Sequence, residues 1–108
     1  MLNIVDIEKK IRYIQKAYTP IDIAEVNNYI VRLALFDGAY HWHKHDHEDE
    51  LFYVYKGRIL IKLRGKPDIM IHQGQMATVP AGWEHCPVSL EPSYVMMFEP
   101  RKLESKGD

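Results

Sequence analysis

The chain has 108 residues, enough for one hydrophobic core and too few for two domains. Hydrophobic residues make up 46% and charged residues 27%, with a formal net charge of −1, so the chain lacks the basic surface expected of a nucleic-acid-binding protein. Cys86 is the single cysteine, which excludes an intrachain disulfide and a cysteine-rich zinc site.

The sequence also argues against a membrane partner. No apolar run reaches the roughly 20 residues that cross a bilayer. Residues 1–6 lack the basic-then-apolar order of a secretory signal. We therefore expect a cytoplasmic protein that binds neither membrane nor nucleic acid.

The N-terminal segment, residues 1–20, carries isoleucines at helical spacing with charged residues between them: Ile4, Ile7, Ile11 and Ile14. This spacing predicts a short helix with an extended continuation, ended by Thr19-Pro20. The apolar side of the helix is expected to pack against the rest of the domain.

Residues 21–100 are typical of an all-β domain, because short apolar-rich runs alternate with turn signals. The predicted strands are 21–26, 29–36, 51–55, 58–63, 69–72, 76–79 and 94–98. The predicted turns are 27–28, 37–38, 64–68 and 73–74. Frequent short strands favour a barrel or a sandwich. Residues 101–108 are charged, and we expect a frayed tail there.

Histidines and carboxylates are concentrated in the middle of the chain. The cluster consists of His41, His43, His45, Asp46, His47, Glu48, Asp49 and Glu50. These are ligand types that borderline divalent metals prefer, although a solvated polar loop has the same composition. On a strand, His43 and His45 point to the same face, and a four-residue connection brings Glu50 to the start of the next strand.

A second segment ends forty residues beyond His45. It begins at Gly74 and ends with Pro80-Ala81-Gly82-Trp83-Glu84-His85. Pro80 and Gly82 favour a turn that can set His85 at the start of a strand.

The two segments resemble the paired motifs of the cupin superfamily. The matching positions are Gly38, His43, His45, Glu50 and Gly57 in the first motif, and Gly74, Pro80, Gly82 and His85 in the second. Four rather than about five residues separate Gly38 from His43, and Ser89 stands where the family often has Asn. More closely, residues 42–45 with residues 49–52 are similar to the small single-domain cupins that are often labelled mannose-6-phosphate-isomerase-like.

The resemblance implies a cupin-type antiparallel jelly-roll barrel of six to eight strands, with the short helix at its N-terminus. It also implies one divalent transition metal (Fe, Mn, Ni, Zn or Cu) inside the barrel, with His43, His45, Glu50 and His85 as its ligands. The open end of such a barrel admits a small molecule.

Two neighbouring histidines need separate interpretation. The alternative pair His45-x-His47 leaves too short a connection before Glu50, so His47 is predicted to be an exposed loop residue. His41 has the same parity as His43, which permits either a proton-transfer role or a purely structural one.

Other residues near the motifs have two interpretations each. Cys86 has the opposite parity to His85 and is predicted to be a buried small apolar residue. Tyr53 and Trp83 are either walls of the ligand pocket or ordinary core. Three cationic residues can either bind an anionic substrate or simply face solvent: Lys44, Lys62 and Arg64.

The functional hypothesis is a metal-dependent enzyme of isomerase or dioxygenase type that acts on a small polar organic molecule, a sugar or a carboxylic acid. Glu50 and His41 are its candidate catalytic residues, because either can move a proton. The alternative is a non-catalytic small-ligand binding or sensor module organised by the metal. A homodimer is also expected, since barrels of this size leave sheet edges to cover and the N-terminal isoleucines need an apolar partner.

Overall fold

The computed structural model describes residues 2–102 and residue 107. It contains one helix and seven strands: α1 (Ile7–Ile11), β1 (Ile21–Val26), β2 (Tyr29–Ala39), β3 (Glu50–Lys56), β4 (Arg58–Leu63), β5 (Lys66–His72), β6 (Met76–Val79) and β7 (His85–Pro100). The all-β fold class with a short N-terminal helix is therefore confirmed.

The strands pair antiparallel in the order β1-β2-β7-β3-β6, and β4 pairs with both β5 and β7. The first residues of β7 pair with β4, and its later residues pair with β2 and β3. Because β7 belongs to both halves of the sheet, the sheet folds over itself as a jelly roll.

The core lies between the two halves of the sheet. Alternate residues point into it, as expected for strands with one buried face. The core cluster consists of Ala34, Phe36, Phe52, Val54, Ile59, Ile61, Leu63, Ile71, Val79, Val95 and Met97. This apolar layer fills one end of the barrel and leaves polar residues at the other end, where β3 and β7 begin.

The N-terminal segment packs on the outside of its own barrel. The Asp6 carboxylate caps α1 by accepting a hydrogen bond from the Lys9 backbone N–H at 3.2 Å. Glu8 accepts hydrogen bonds from the Tyr55 hydroxyl at 2.8 Å and the Lys56 ammonium at 2.9 Å. The helix is shorter than its isoleucine spacing indicates, and the first of those isoleucines, Ile4, is 91% exposed.

Two turn predictions are wrong. Strand β2 continues through Asp37-Gly38, because Gly38 with φ +78° forms a bulge and Ala39 pairs with Val88. The 64–68 turn is only two residues long, since β5 begins at Lys66. Pro67 is tolerated there because β5 is an edge strand that pairs with β4 alone.

Strand β7 is also much longer than the predicted 94–98. Pro87 and Pro92 interrupt the apolar pattern in the sequence, yet Pro87 pairs opposite Ile61 within the sheet. Of the predicted tail, residues 103–106 and 108 lie outside the described residues. Within the described residues, no helix has the length and apolar character needed to cross a membrane.

Candidate metal centre

The four predicted metal ligands come from three parts of the fold. Glu50 is the first residue of β3 and His85 is the first residue of β7. His43 follows β2 and pairs with His85 through two backbone hydrogen bonds, His43 N to His85 O at 3.0 Å and His85 N to His43 O at 2.9 Å. The His45 carbonyl accepts a hydrogen bond from the Gly82 N–H at 2.8 Å, so the 80–82 turn holds the histidine segment in place.

These four side chains meet at one point. Their potential ligand atoms, one from each residue, all lie within 4.8 Å of one another. His45, Glu50 and His85 are buried, and His43 is half-buried at the inner end of a cavity. The structure therefore brings together the four residues that the resemblance to cupins implied.

Backbone carbonyls fix the tautomers of two of the imidazoles. His43 Nδ1 lies 3.0 Å from the His41 carbonyl, and His85 Nδ1 lies 2.9 Å from the Trp83 carbonyl. Because a carbonyl only accepts, each Nδ1 carries the proton and donates. Each Nε2 therefore has a free lone pair, the form in which histidine binds a metal.

The Glu50 carboxylate lies among these nitrogens. Its Oε1 is 3.3 Å from His45 Nε2 and 3.5 Å from His85 Nε2, long distances for hydrogen bonds. Burial raises the pKa of Glu50, but the contacts with His45 and His85 outweigh it and hold that pKa below its usual range. Glu50 is therefore ionised.

The chemistry of this donor set fits a divalent transition metal. Glu50 Oε1 and His85 Nε2 are buried without a hydrogen-bond partner, an arrangement that is costly in a protein interior. Burial lowers the pKa of His43 to about 4, so His43 is neutral near pH 7. A cation at the centre would satisfy these atoms with three imidazoles and one carboxylate, ligands that iron, manganese, nickel, zinc and copper accept.

A narrow cavity adjoins the ligand cluster; its volume is about 20 Å³, room for about one water molecule, and it opens to solvent. Its walls are mainly aromatic and aliphatic side chains: Tyr18, Pro20, Ala34, Phe36, Tyr40, Phe52, Pro87 and Met97. His43 and Glu50 line its inner end. The cavity therefore combines an apolar wall with one polar end, the usual character of a small-molecule site.

Tyr18 is a wall residue that the sequence reasoning missed. Its hydroxyl donates to the Gly38 carbonyl at 2.6 Å, and its ring packs 4.8 Å from Phe36 and 4.7 Å from Tyr40, measured between ring centroids. Its backbone N–H donates to the Leu35 carbonyl, which extends the β1–β2 pairing past Pro20. The path of the N-terminal segment, which decides this contact, leaves no signal in the residue pattern.

The other two histidines of the tract lie outside the ligand cluster. His47 is exposed, in the loop before β3, as predicted. The His41 side chain is also exposed, with its ring centroid 3.9 Å from that of Tyr40 and 5.2 Å from that of His43. The His41 carbonyl orients the His43 ring by accepting a hydrogen bond from its Nδ1. A proton-transfer role for the His41 ring stays a prediction.

The remaining candidates near the motifs are Cys86, Tyr53 and Trp83, and none of them lines the cavity beside the ligand cluster. Cys86 is 5% exposed, which confirms a buried small residue. Tyr53 lines a concavity on the outer face of β3 with Leu51 and Met76, so its assignment to the ligand pocket is wrong. Trp83 lies under the Lys66 ammonium on the surface and does not line the metal-side cavity either.

The three cationic residues proposed for an anionic substrate face away from the cavity. Lys44 lies 3.4 Å from the Asp46 carboxylate, and the Arg64 guanidinium stacks on the Trp42 ring at 4.0 Å. Lys62 is exposed on β4. The described cavity wall thus contains no lysine or arginine.

A second buried carboxyl, Glu99, lies next to Glu50 and was not predicted. Burial, together with the neighbouring Glu50 carboxylate, raises the pKa of Glu99 to about 9. A signal was available in the sequence, because Val95 and Met97 point inward on β7 and Glu99 has the same parity.

Comparison with known proteins agrees with the geometry. The chain is 34% identical over 85 residues to the uncharacterized protein YdbB of Bacillus subtilis, covering 79% of this chain and 73% of that protein. It is 38% identical over 61 residues to 3-hydroxyanthranilate 3,4-dioxygenase of Aspergillus niger, covering 49% of this chain and about a third (32%) of that enzyme.

A solved structure shows the same fold across nearly the whole chain. The cupin-2 domain containing protein of Shewanella frigidimarina superposes with a TM-score of 0.87 at 33% identity, covering 91% of this chain and 95% of that one. Residues 35–99 match the Cupin domain family model, and this range includes both motifs and all four clustered side chains. With the jelly roll and the His/Glu cluster in place, the chain belongs to the cupin family.

Proposed function

We propose that this protein is a metal-dependent enzyme of dioxygenase type that acts on a small aromatic hydroxy or carboxylic acid. A bound divalent metal would supply Lewis-acid chemistry, and a redox-active one would also supply oxygen chemistry. His43, His45, Glu50 and His85 would hold it. The observation that carries the proposal is the junction of this donor set with a cavity walled by aromatic and aliphatic side chains.

The cavity wall supports an aromatic substrate rather than a sugar. A sugar presents hydroxyls on all sides, and each hydroxyl buried without a partner costs free energy. The wall offers Phe36, Phe52 and Met97 to the substrate, with polar atoms concentrated at the metal end. A flat ring with oxygens at one edge fits that distribution. The partial likeness to an enzyme named 3-hydroxyanthranilate 3,4-dioxygenase points to the same class of substrate.

The two predicted proton carriers differ in the support they receive. The contacts that lower the pKa of Glu50 make its carboxylate a weak base, which favours a ligand role over proton transfer. His41 lies exposed beside His43, where its ring can exchange protons with solvent. We assign any proton transfer beside His43 to His41.

A second function, a non-catalytic binding or sensor module, is favoured by one observation. The Tyr18 hydroxyl, a proton-carrying group in the cavity wall, already donates to the Gly38 carbonyl and serves to hold the wall together. Because this contact engages the Tyr18 proton, the Tyr18 hydroxyl suits recognition better than turnover.

Turnover assays with defined metals distinguish the two functions. Protein loaded anaerobically with iron(II) is mixed with air-saturated buffer and a panel of phenols, aromatic hydroxy acids and sugar phosphates, and oxygen uptake and substrate loss are followed. We expect matched oxygen and substrate consumption with an aromatic acid and none with His85→Ala. Turnover of a sugar phosphate would contradict the substrate class. Ligand binding without turnover, under every metal tested, would favour the binding module.

We also propose that the protein is a homodimer, and the exposed apolar outer face of the sheet suggests where the second copy binds. This outer patch consists of Tyr29, Val31, Leu51, Tyr53, Met76, Met96 and Phe98. Met76 is 60% exposed and Phe98 is 38% exposed, and Leu2 and Ile4 of the N-terminal segment are each 91% exposed. The same patch on a second copy is its natural complement under two-fold symmetry.

A further inference from the structure

Glu99 occupies the position next to the ligand Glu50 on the inner face of the sheet. Leu51 pairs with Phe98 across β3 and β7, and the next position of that antiparallel register sets Glu50 beside Glu99. Both carboxyl side chains are buried, with 3% exposure for Glu50 and 0% for Glu99. Two carboxyl side chains directly opposite each other on a sheet normally destabilise it. Another interaction must therefore stabilise this pair.

Arg32 holds Glu99 from the opposite side. Its Nη1 donates to Glu99 Oε1 at 2.8 Å, its Nε donates to Asp22 Oδ1 at 3.1 Å, and its Nη2 donates to the Arg101 carbonyl at 3.1 Å. The Arg32 side chain is itself 14% exposed, so little solvent competes for these bonds. A planar guanidinium with three anchored nitrogens fixes the Glu99 carboxyl in one orientation.

The other oxygen of Glu99 makes no bond to Arg32. Glu99 Oε2 is buried without a hydrogen-bond partner, and Glu99 interacts electrostatically with the adjacent Glu50 carboxyl. The chain Arg32–Glu99–Glu50 therefore runs from the partly exposed Asp22 edge to the centre of the ligand cluster. Buried ionisable groups are a poor way to stabilise a fold, since apolar residues of similar volume do so at least as well. This arrangement points to a role at the ligand cluster.

We propose that Glu99, held by Arg32, is a positioning residue that fixes the Glu50 carboxylate in the orientation required to bind the metal. The inference rests on the metal site of the proposed function, and it concerns the supporting partner of a ligand. A residue that contacts a metal ligand, without touching the metal itself, orients that ligand. Loss of such a residue weakens metal binding roughly 10–100-fold in characterised sites.

The test compares zinc(II) affinity by calorimetry among wild type, Glu99→Gln and Glu99→Leu. In Glu99→Gln the amide oxygen can still accept from Arg32 and the amide nitrogen can donate to the adjacent Glu50 carboxylate, so we expect zinc affinity within about threefold of wild type. In Glu99→Leu both interactions are lost, and we expect zinc to bind about 10–100-fold more weakly. Glu91→Leu is the matched control, because Glu91 is an exposed carboxylate paired with Arg58.

Two further measurements separate positioning from a structural role. Thermal unfolding of the metal-free proteins should show Glu99→Leu less stable than wild type, because the Arg32 guanidinium loses its buried acceptor, but fully folded at the temperature of the calorimetry, so weaker binding would not follow from an unfolded chain. The visible spectrum of bound cobalt(II) should change in Glu99→Leu and be retained in Glu99→Gln, because it reports ligand geometry.

Three outcomes would overturn the inference. Wild-type affinity and an unchanged cobalt spectrum in Glu99→Leu would remove the positioning role while leaving the metal site intact. Equal losses in Glu99→Gln and Glu99→Leu would show that the hydrogen bonds do not carry the effect. Failure of wild type to bind either metal would remove the proposed function as well.

Discussion

The His43 imidazole is half-buried and lines the cavity beside the other three side chains of the ligand cluster. Burial is the main reason that its pKa falls to about 4, and the positive charges that His85 and His45 can carry lower it further. The unfolded chain binds this proton near pH 6.5, and the folded protein binds it only near pH 4. The unfolded state therefore binds more protons between these two values.

At the residue scale, this shift predicts a measurable titration. In the metal-free protein, the ring signals of His43 followed by NMR should titrate with a midpoint near pH 4. The free energy of unfolding should fall as the pH drops from about 6.5 towards 4, because acid favours the state that binds the proton. A His43 midpoint near 6.5, the value of an exposed histidine, would show that the imidazole is not buried as described.

The resemblance to the cupin motifs was enough to predict which four side chains meet, whereas local spacing alone indicates only that His43 and His45 share a face near Glu50. Tyr18 and Glu99 were not predicted for different physical reasons. Tyr18 reaches the cavity through the path of an irregular segment, whereas Glu99 reaches Glu50 through a register between β3 and β7. Long-range contacts of this kind depend on how the sheet closes, which a local pattern does not encode.

At the scale of elements, the β3–β4 connection depends on Gly57. Its φ is +91°, and a Cβ built there would lie 2.7 Å from Ser93 Cβ and 3.0 Å from Ser93 Cα. Ser93 is fully buried, and its hydroxyl accepts a hydrogen bond from the Arg58 N–H at 3.0 Å. The glycine therefore allows β3 and β4 to turn directly against β7.

Gly57→Ala should be strongly destabilising because it combines two costs. A left-handed backbone costs an L residue about 1–2 kcal/mol, and the contact with Ser93 forces a shift of buried backbone, for a total of roughly 3–4 kcal/mol. Gly65→Ala is the matched control, since Gly65 has φ +72° with nothing near its Cβ position, and should cost only about 1–2 kcal/mol. Equal losses of the free energy of unfolding in urea titrations would refute the close packing.

The sequence predicted which strands exist more accurately than where each strand begins and ends. Every predicted strand exists, but Gly38 was assigned to a turn although it lies in a bulge of β2. The first half of β7 was missed because Pro87 and Pro92 break its apolar alternation. In both places the pairing with a distant strand, and not the local sequence, decides where the strand continues.

At the scale of the whole molecule, the outer patch and the metal site lie on opposite faces of the sheet. Side chains of β3 alternate between them, with Phe52 facing the cavity and Leu51 and Tyr53 facing outward. A second copy bound on the outer patch would therefore leave the cavity mouth open. The proposed dimer and the proposed enzyme can be tested independently.

Light scattering at micromolar concentration tests the dimer. We expect twice the single-chain mass of 12.7 kDa for wild type, and a single-chain mass for Met76→Glu, because a charge in the outer patch opposes burial. Leu90→Glu, at a site that is 89% exposed and outside the patch, should remain dimeric. A wild-type mass near 12.7 kDa would defeat the dimer, and loss of the doubled mass on deleting residues 1–18 would implicate the N-terminal segment.

The most direct test of the whole account is the metal content of the protein, purified without a His tag and equilibrated with iron(II), manganese(II), nickel(II), zinc(II) or copper(II). Mass spectrometry of the washed protein should find one metal ion per chain in wild type and in His47→Ala, and almost none in His43→Ala or His85→Ala. A wild-type protein that retains none of the five metals, or a site lost in His47→Ala and kept in His43→Ala, would contradict it.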